Sequence, residues 1–236
     1  ISRRHDATTN CTVAESAVYC GPMKIGVFDS GIGGKAIAER LERDYPSDEV
    51  LYVNDSKHVP YGSRSSEEII SLTDAAIQPL LDAQCDVVVL ARNTATAAAI
   101  EFLREKYPTT PFVGLEPMVK PAAQQTKTGV IAICATPATL NSSRYRGLKD
   151  TYANDVKVVE PDCSRWASMI EHNQVQHGHI ARTIEGVLKQ GADVIVLACT
   201  HYHWIKEEIT GLVAGRAIIL DPSEAISRRV GVIIGS

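Results

Sequence analysis

The chain has 236 residues, with 24 Lys+Arg against 28 Asp+Glu, a formal net charge of −4, 44% hydrophobic and 22% charged residues. That composition can bury a core as one large domain or two small ones, and its mild acidity gives no basic footprint, so nucleic acid is not an expected partner. No apolar run approaches the roughly 18 residues of a bilayer span, which excludes a membrane protein, and the six cysteines are too scattered for a secreted disulfide framework, so a reducing cytoplasm is the expected setting.

Residues 1–22 show little periodicity and no apolar signal core, and are expected to form a flexible N-terminal extension. The folded unit is expected to start at Met23, just before the strand-like Lys24–Phe28. Apolar runs then recur at 24–28, 50–53, 86–91, 112–115, 129–134, 156–160, 193–198 and 217–220. Amphipathic stretches lie between them at 34–45, 66–83, 95–107, 142–152, 178–190 and 203–214. Such alternation predicts an α/β fold, and Val/Ile-rich runs that barely alternate fit parallel strands covered by helices on both faces. Pro46, Pro108, Pro161 and Pro222 fall in the links, where a missing N–H does no harm.

The sequence also repeats. IQPLLDAQCDVVVLA at 77–91 aligns with IEGVLKQGADVIVLA at 184–198, matching Ile77, Leu81, Asp86, Val87, Val89, Leu90 and Ala91 to Ile184, Leu188, Asp193, Val194, Val196, Leu197 and Ala198. Each copy reads as helix, turn and buried strand, so two pseudo-symmetric α/β domains are expected, with the active site in the cleft between them. The expected division is 23–116 plus 212–236 for the first and 117–211 for the second.

In open α/β sheets ligands bind beyond the carboxyl ends of the strands. The segments there are small and polar: Asp29–Gly34, Asn54–Ser63, Arg92–Thr96, Ala135–Thr139 and Cys199–His203. The repeat sets Arg92 opposite Cys199, so halves that face each other would present these two side chains from opposite sides of one cleft. That arrangement suits chemistry on the two faces of one carbon.

These motifs (FDSGIGG at 28–34, VPYG at 59–62, RNTAT at 92–96, ATPAT at 135–139 and ACTHY at 198–202) resemble, in order and spacing, those of the glutamate racemase family within the aspartate/glutamate racemase superfamily. The resemblance covers roughly 24–226. It implies a cofactor-independent enzyme that interconverts L- and D-glutamate for peptidoglycan, with two cysteines flanking the substrate Cα, while the spacing of Cys199, His201 and His203, without a CxxC, argues against a metal site. It assigns Cys199 as one of that pair, His201 and Glu171 as acid/base residues beside it, and Asp29 as the carboxylate serving the other. Ser30, Tyr61, Gly62, Asn93, Thr94, Thr136, Thr200 and His201, with Asp29, are the implied substrate contacts. The implied partner is a small acidic amino acid, and a homodimer is compatible with the resemblance. The segment after Asp221–Ala225 is shorter than the family usually carries, which touches the closing of the first domain.

The sequence departs from the family at one critical place: where the first-half cysteine is expected, it has Arg92. A guanidinium holds its proton to about pH 12 and cannot serve as a general base. It can pair with a substrate carboxylate, with Asp29 or with the Cys199 thiolate, so impaired turnover is expected. Two other readings stand beside the racemase: a binding protein that holds an acidic amino acid without turnover, and an aspartate racemase or related one-thiol isomerase. Blander assignments also remain, with Cys199 as a buried structural thiol, Asp29 as a helix cap and Tyr61-Gly62 as a turn. Cys85, Cys134 and Cys163 are expected in core or loop, Cys11 and Cys20 in the extension, and Trp166 and Trp204 as packing residues.

Overall fold

The computed structural model describes residues 21–31 and 33–235, so the extension expected over 1–22 lies almost wholly outside the described residues. The first half runs β1 (Lys24–Asp29), α1 (Lys35–Asp44), β2 (Glu49–Asn54), α2 (Ser66–Ala76), α3 (Gln78–Asp82), β3 (Val87–Leu90), α4 (Asn93–Lys106) and β4 (Phe112–Gly114). The second runs α5 (Val119–Gln125), β5 (Val130–Cys134), α6 (Pro137–Leu140), α7 (Ser143–Tyr152), β6 (Lys157–Val159), α8 (Trp166–Glu171), α9 (His177–Lys189), β7 (Val194–Leu197), α10 (Lys206–Val213) and β8 (Ile218–Leu220). A last helix, α11 (Pro222–Ile234), follows. Among the described residues no helix is long and apolar enough to cross a membrane.

Each half holds a four-stranded parallel sheet, ordered β2-β1-β3-β4 in the first and β6-β5-β7-β8 in the second. The two orders are the same, and the repeated sequence ends on β3 and β7, the corresponding strands. The conserved acid of the repeat has one job in both copies. Asp86 Oδ2 accepts from Lys24 N at 2.7 Å, and Asp193 Oδ2 accepts from Lys127 N at 2.7 Å, so each ties the start of its strand to the chain entering the neighbouring one.

Helices cover both faces of each sheet, as the unalternating strands require. Ile25, Val27, Val87 and Val89 pack on one side of the first sheet with Ile37 and Leu41 of α1, while Phe28, Val88 and Leu90 pack on the other with Ile100 and Leu103 of α4. The first of these layers is completed by Ile226 and Val230 of α11. In the second half, Trp166 stacks edge-on against Tyr202, with ring centroids 5.2 Å apart.

The structure refines several expectations. The stretch 66–83 is two helices, because Pro79 sits in the first turn of α3, where its missing N–H is harmless. The stretch 203–214 opens as a 3₁₀ turn over Thr200–Ile205 and becomes α-helical only at Lys206. The return to the first half comes later than the expected 212: β8 pairs with β7, so 218–220 stays in the second sheet and α11 makes the crossing. Trp166 is fully buried as a packing residue, whereas Trp204 is 47% exposed with its ring against His201.

Candidate active site

In each sheet the first strand connects outward to one side and the third lies on its other side. That leaves a crevice at the carboxyl ends of β1 and β3, and of β5 and β7. The segments leaving these four strands supply the site. Arg92 and Cys199 both stand just before the turn that follows their strand, with nearly the same backbone: φ −147°, ψ 127° for Arg92 and φ −147°, ψ 135° for Cys199. The pseudo-symmetric placement read from the repeat therefore extends to the local conformation.

The halves touch here. Asn93 Nδ2, in the first turn of α4, donates to Ala198 O across the divide at 2.8 Å. Gly33 approaches Thr200 so closely that a Cβ built on it would lie 2.0 Å from Thr200 Oγ1, which is why the β1–α1 loop needs glycine there.

On the second-half side, Cys199 Sγ lies 3.7 Å from His201 Nδ1, and His201 Nε2 lies 2.8 Å from Glu171 Oε1. His201 is buried, and burial lowers its pKa against the pull of Glu171, so the resting imidazole is neutral. With Glu171 accepting at Nε2, the ring proton is assigned there, and the Nδ1 lone pair faces the thiol. Burial pushes the Cys199 thiol up to about 11, while the backbone N–H of His201 and the charge of Arg92 draw it back.

On the first-half side, Asp29 is fully buried at the end of β1. Its Oδ1 accepts from Ser30 N and its Oδ2 from Gly34 N, both at 2.7 Å. Arg92 Nη1 stands 3.8 Å from Asp29 Oδ1, an ion pair without a hydrogen bond. Tyr52 OH donates to Gly31 O at 3.1 Å and braces the same loop.

The remaining expected contacts are spread around this centre. Gly62, Asn93 and Thr94 line a cavity of about 430 Å³ whose wall also includes Thr139, Arg64 and Arg144. Asp29, Arg92 and Cys199 are not in that wall. Thr136 is turned inward on its own helix, its Oγ1 accepting from Thr139 N at 3.4 Å. Tyr61 is fully buried and donates to Asp55 Oδ2 at 2.8 Å. His203 is drawn to Asp221 at 3.3 Å, away from the His201 pair. Tyr52, Arg64, Thr139 and Arg144 are the residues that sequence reasoning passed over. Thr139 sat inside the ATPAT motif, whereas no local pattern marks Tyr52 or the two arginines.

Two similar parallel sheets, with a thiol–imidazole–carboxylate line on one half and a half-buried arginine beside a buried carboxylate on the other, define a two-lobed α/β protein. The profile of the Asp/Glu/Hydantoin racemase family matches residues 35–230. A glutamate racemase of Ectopseudomonas mendocina is 39% identical over 215 residues, covering 89% of this chain and 82% of that protein. The structure of Escherichia coli glutamate racemase in complex with L-glutamate and the activator UDP-MurNAc-ala superposes with a TM-score of 0.81 at 27% identity, over 91% of this chain and 83% of that one. The Aquifex pyrophilus glutamate racemase superposes with a TM-score of 0.69 at 32% identity, over 89% of this chain and 83% of that one. The chain belongs to the Asp/Glu/Hydantoin racemase family.

Proposed function

We propose that this protein is an amino-acid racemase-type isomerase that works at the Cα of glutamate, in the supply of D-glutamate for peptidoglycan, and that Arg92 holds two-way turnover down. The observation that carries this reading is the line Cys199 Sγ–His201 Nδ1 at 3.7 Å and His201 Nε2–Glu171 Oε1 at 2.8 Å, set opposite the Arg92–Asp29 pair. The neutral imidazole takes the thiol proton, Glu171 stabilises the imidazolium that results, and the thiolate removes a proton from Cα. Removing a proton at an unactivated carbon demands charge stabilisation and placement, which the buried donors around Asp29 and Arg92 supply. Inversion further needs a proton delivered to the opposite face. Arg92 stands on that face and gives up no proton near neutral pH.

The test is polarimetry on each glutamate enantiomer with the natural chain and with Arg92→Cys. The expected result is slow or absent interconversion by the natural chain and a rise of about a hundredfold or more in the variant, the usual worth of a positioned acid/base group. A folded Arg92→Cys protein with no gain would overturn the reading.

A further inference from the structure

Among the described residues, three buried polar atoms on the segments that leave β1 and β3 have no hydrogen-bond partner: Ser30 Oγ, Arg92 Nη1 and Asn93 Oδ1. Buried donors and acceptors are rarely left unpaired, and each such case calls for an explanation. Here the three make a matched set. A guanidinium N–H and a hydroxyl are donors for a carboxylate, and an amide oxygen accepts from an ammonium.

The surroundings keep the set available. Asp29 spends its oxygens on Ser30 N and Gly34 N and stays 3.8 Å from Nη1, so it supplies countercharge without consuming the donor. Asn93 uses its amide nitrogen on Ala198 O, which fixes the amide and leaves its oxygen free. A Cβ at Gly31 would fall 2.7 Å from Nη1, so a side chain there would shift the guanidinium tip from its present position.

Resting on the reading of the cleft as an acidic amino-acid site, we infer that Arg92, with Ser30, is a carboxylate clamp and that the protein is a one-sided catalyst: Cys199 exchanges the Cα hydrogen of one glutamate enantiomer with water and leaves its configuration unchanged. The Cys199 thiolate takes the Cα proton, and the C–H electron pair delocalises into the carboxylate held by Arg92 and Ser30. The S–H trades its hydrogen with solvent by way of His201 Nδ1, and the sulfur returns a solvent-derived proton to the face it came from. In heavy water the sum is Cα–H plus D₂O giving Cα–D plus HOD. Nothing is oxidised or reduced, and the guanidinium keeps its protons throughout.

The experiment follows each glutamate enantiomer with the full-length chain in heavy water, by proton NMR of the Cα–H and by polarimetry, with calorimetric binding in parallel. One enantiomer is expected to lose its Cα–H signal about a hundredfold or more faster than in buffer, without change in optical rotation, while the other keeps its signal. Arg92→Gln is expected to bind glutamate about tenfold or more weakly while exchange persists at saturating glutamate, and Cys199→Ser to lose exchange while still binding. Circular dichroism establishes that both variants are folded. Exchange accompanied by inversion, no exchange of bound glutamate, or unchanged affinity in Arg92→Gln would overturn the inference. If Arg92→Cys racemises while the natural chain exchanges neither enantiomer, the clamp alone fails. If no form binds or turns over glutamate, the reading of the site fails with it.

Discussion

At the scale of single residues the chemistry turns on where one proton rests. Burial pushes the Cys199 thiol to about 11 and lowers the His201 imidazole, so near neutrality the thiol is protonated and the ring neutral. The reactive form is the thiolate, the minor species there. Near neutrality the thiolate forms by transfer to His201, which is independent of pH, and loss of the thiol proton to solvent adds to it as the pH nears the thiol's own value, so Cα exchange by this chain, and racemisation by Arg92→Cys, should be level from about pH 7 to about pH 8 and climb toward about pH 10. A rate that does not climb toward about pH 10 would show that Cys199 is not the base. Glu171→Gln removes the carboxylate that supports His201 in its charged form, and an activity about tenfold or more lower is expected at neutral pH, with much of the loss recovered at alkaline pH. The family resemblance grouped Asp29, Cys199, His201 and Glu171, the repeat set Arg92 opposite Cys199, and Glu171, from a stretch with no fixed pattern, lies 2.8 Å from His201. What no spacing can reveal is which atoms are left unpaired: the orphaned Arg92 Nη1 and the Asn93 bond to Ala198 depend on rotamers and on how two distant segments meet.

At the scale of elements, two junctions carry the site. The β1–α1 loop lies against the Thr200 turn through Gly33, and a methyl there has no room. Gly33→Ala should push the loop off the turn, lowering stability by about 1–3 kcal/mol and weakening glutamate binding, as urea titration and calorimetry would show. The second junction is Asp221, which caps α11 by accepting from Ser223 N at 2.9 Å and meets Lys206 Nζ at 3.1 Å. Burial works to raise its pKa, but the His203 and Ser223 hydrogen bonds and the Lys206 charge prevail and hold the carboxyl well below the usual range. A depressed carboxyl stabilises the fold fully above its unfolded pKa of about 3.9 and progressively less as the pH falls below it. Asp221→Asn should thus be less stable by about 1–3 kcal/mol at neutral pH, with the gap closing below about pH 4. The eight strands could be read because parallel, doubly covered strands are short apolar runs. Helix limits were harder, since Pro79 splits one amphipathic stretch and the Thr200–Ile205 segment winds too tightly for an α-helical period.

At the scale of the whole molecule, the repeat foretold two sheets of one design, and the shared order β2-β1-β3-β4 and β6-β5-β7-β8 bears that out. The crossing back was less legible, because β8 and α11 are close in sequence and belong to different layers. Since Ile226 and Val230 complete the layer beneath β1 and β3, Ile226→Ala should cost about 2–5 kcal/mol, read as a lower unfolding midpoint of the first half. An unchanged midpoint would show that α11 does not hold that layer.

That placement of α11 also sets a timetable. A ribosome delivers β1 to β4 early, yet the layer they need arrives only after the entire second lobe has been made, a delay on the order of ten seconds at ordinary elongation rates. During that interval the valine-rich face of the nascent first lobe is covered by α1 alone and lacks the α11 side chains, a surface for holding chaperones to cover.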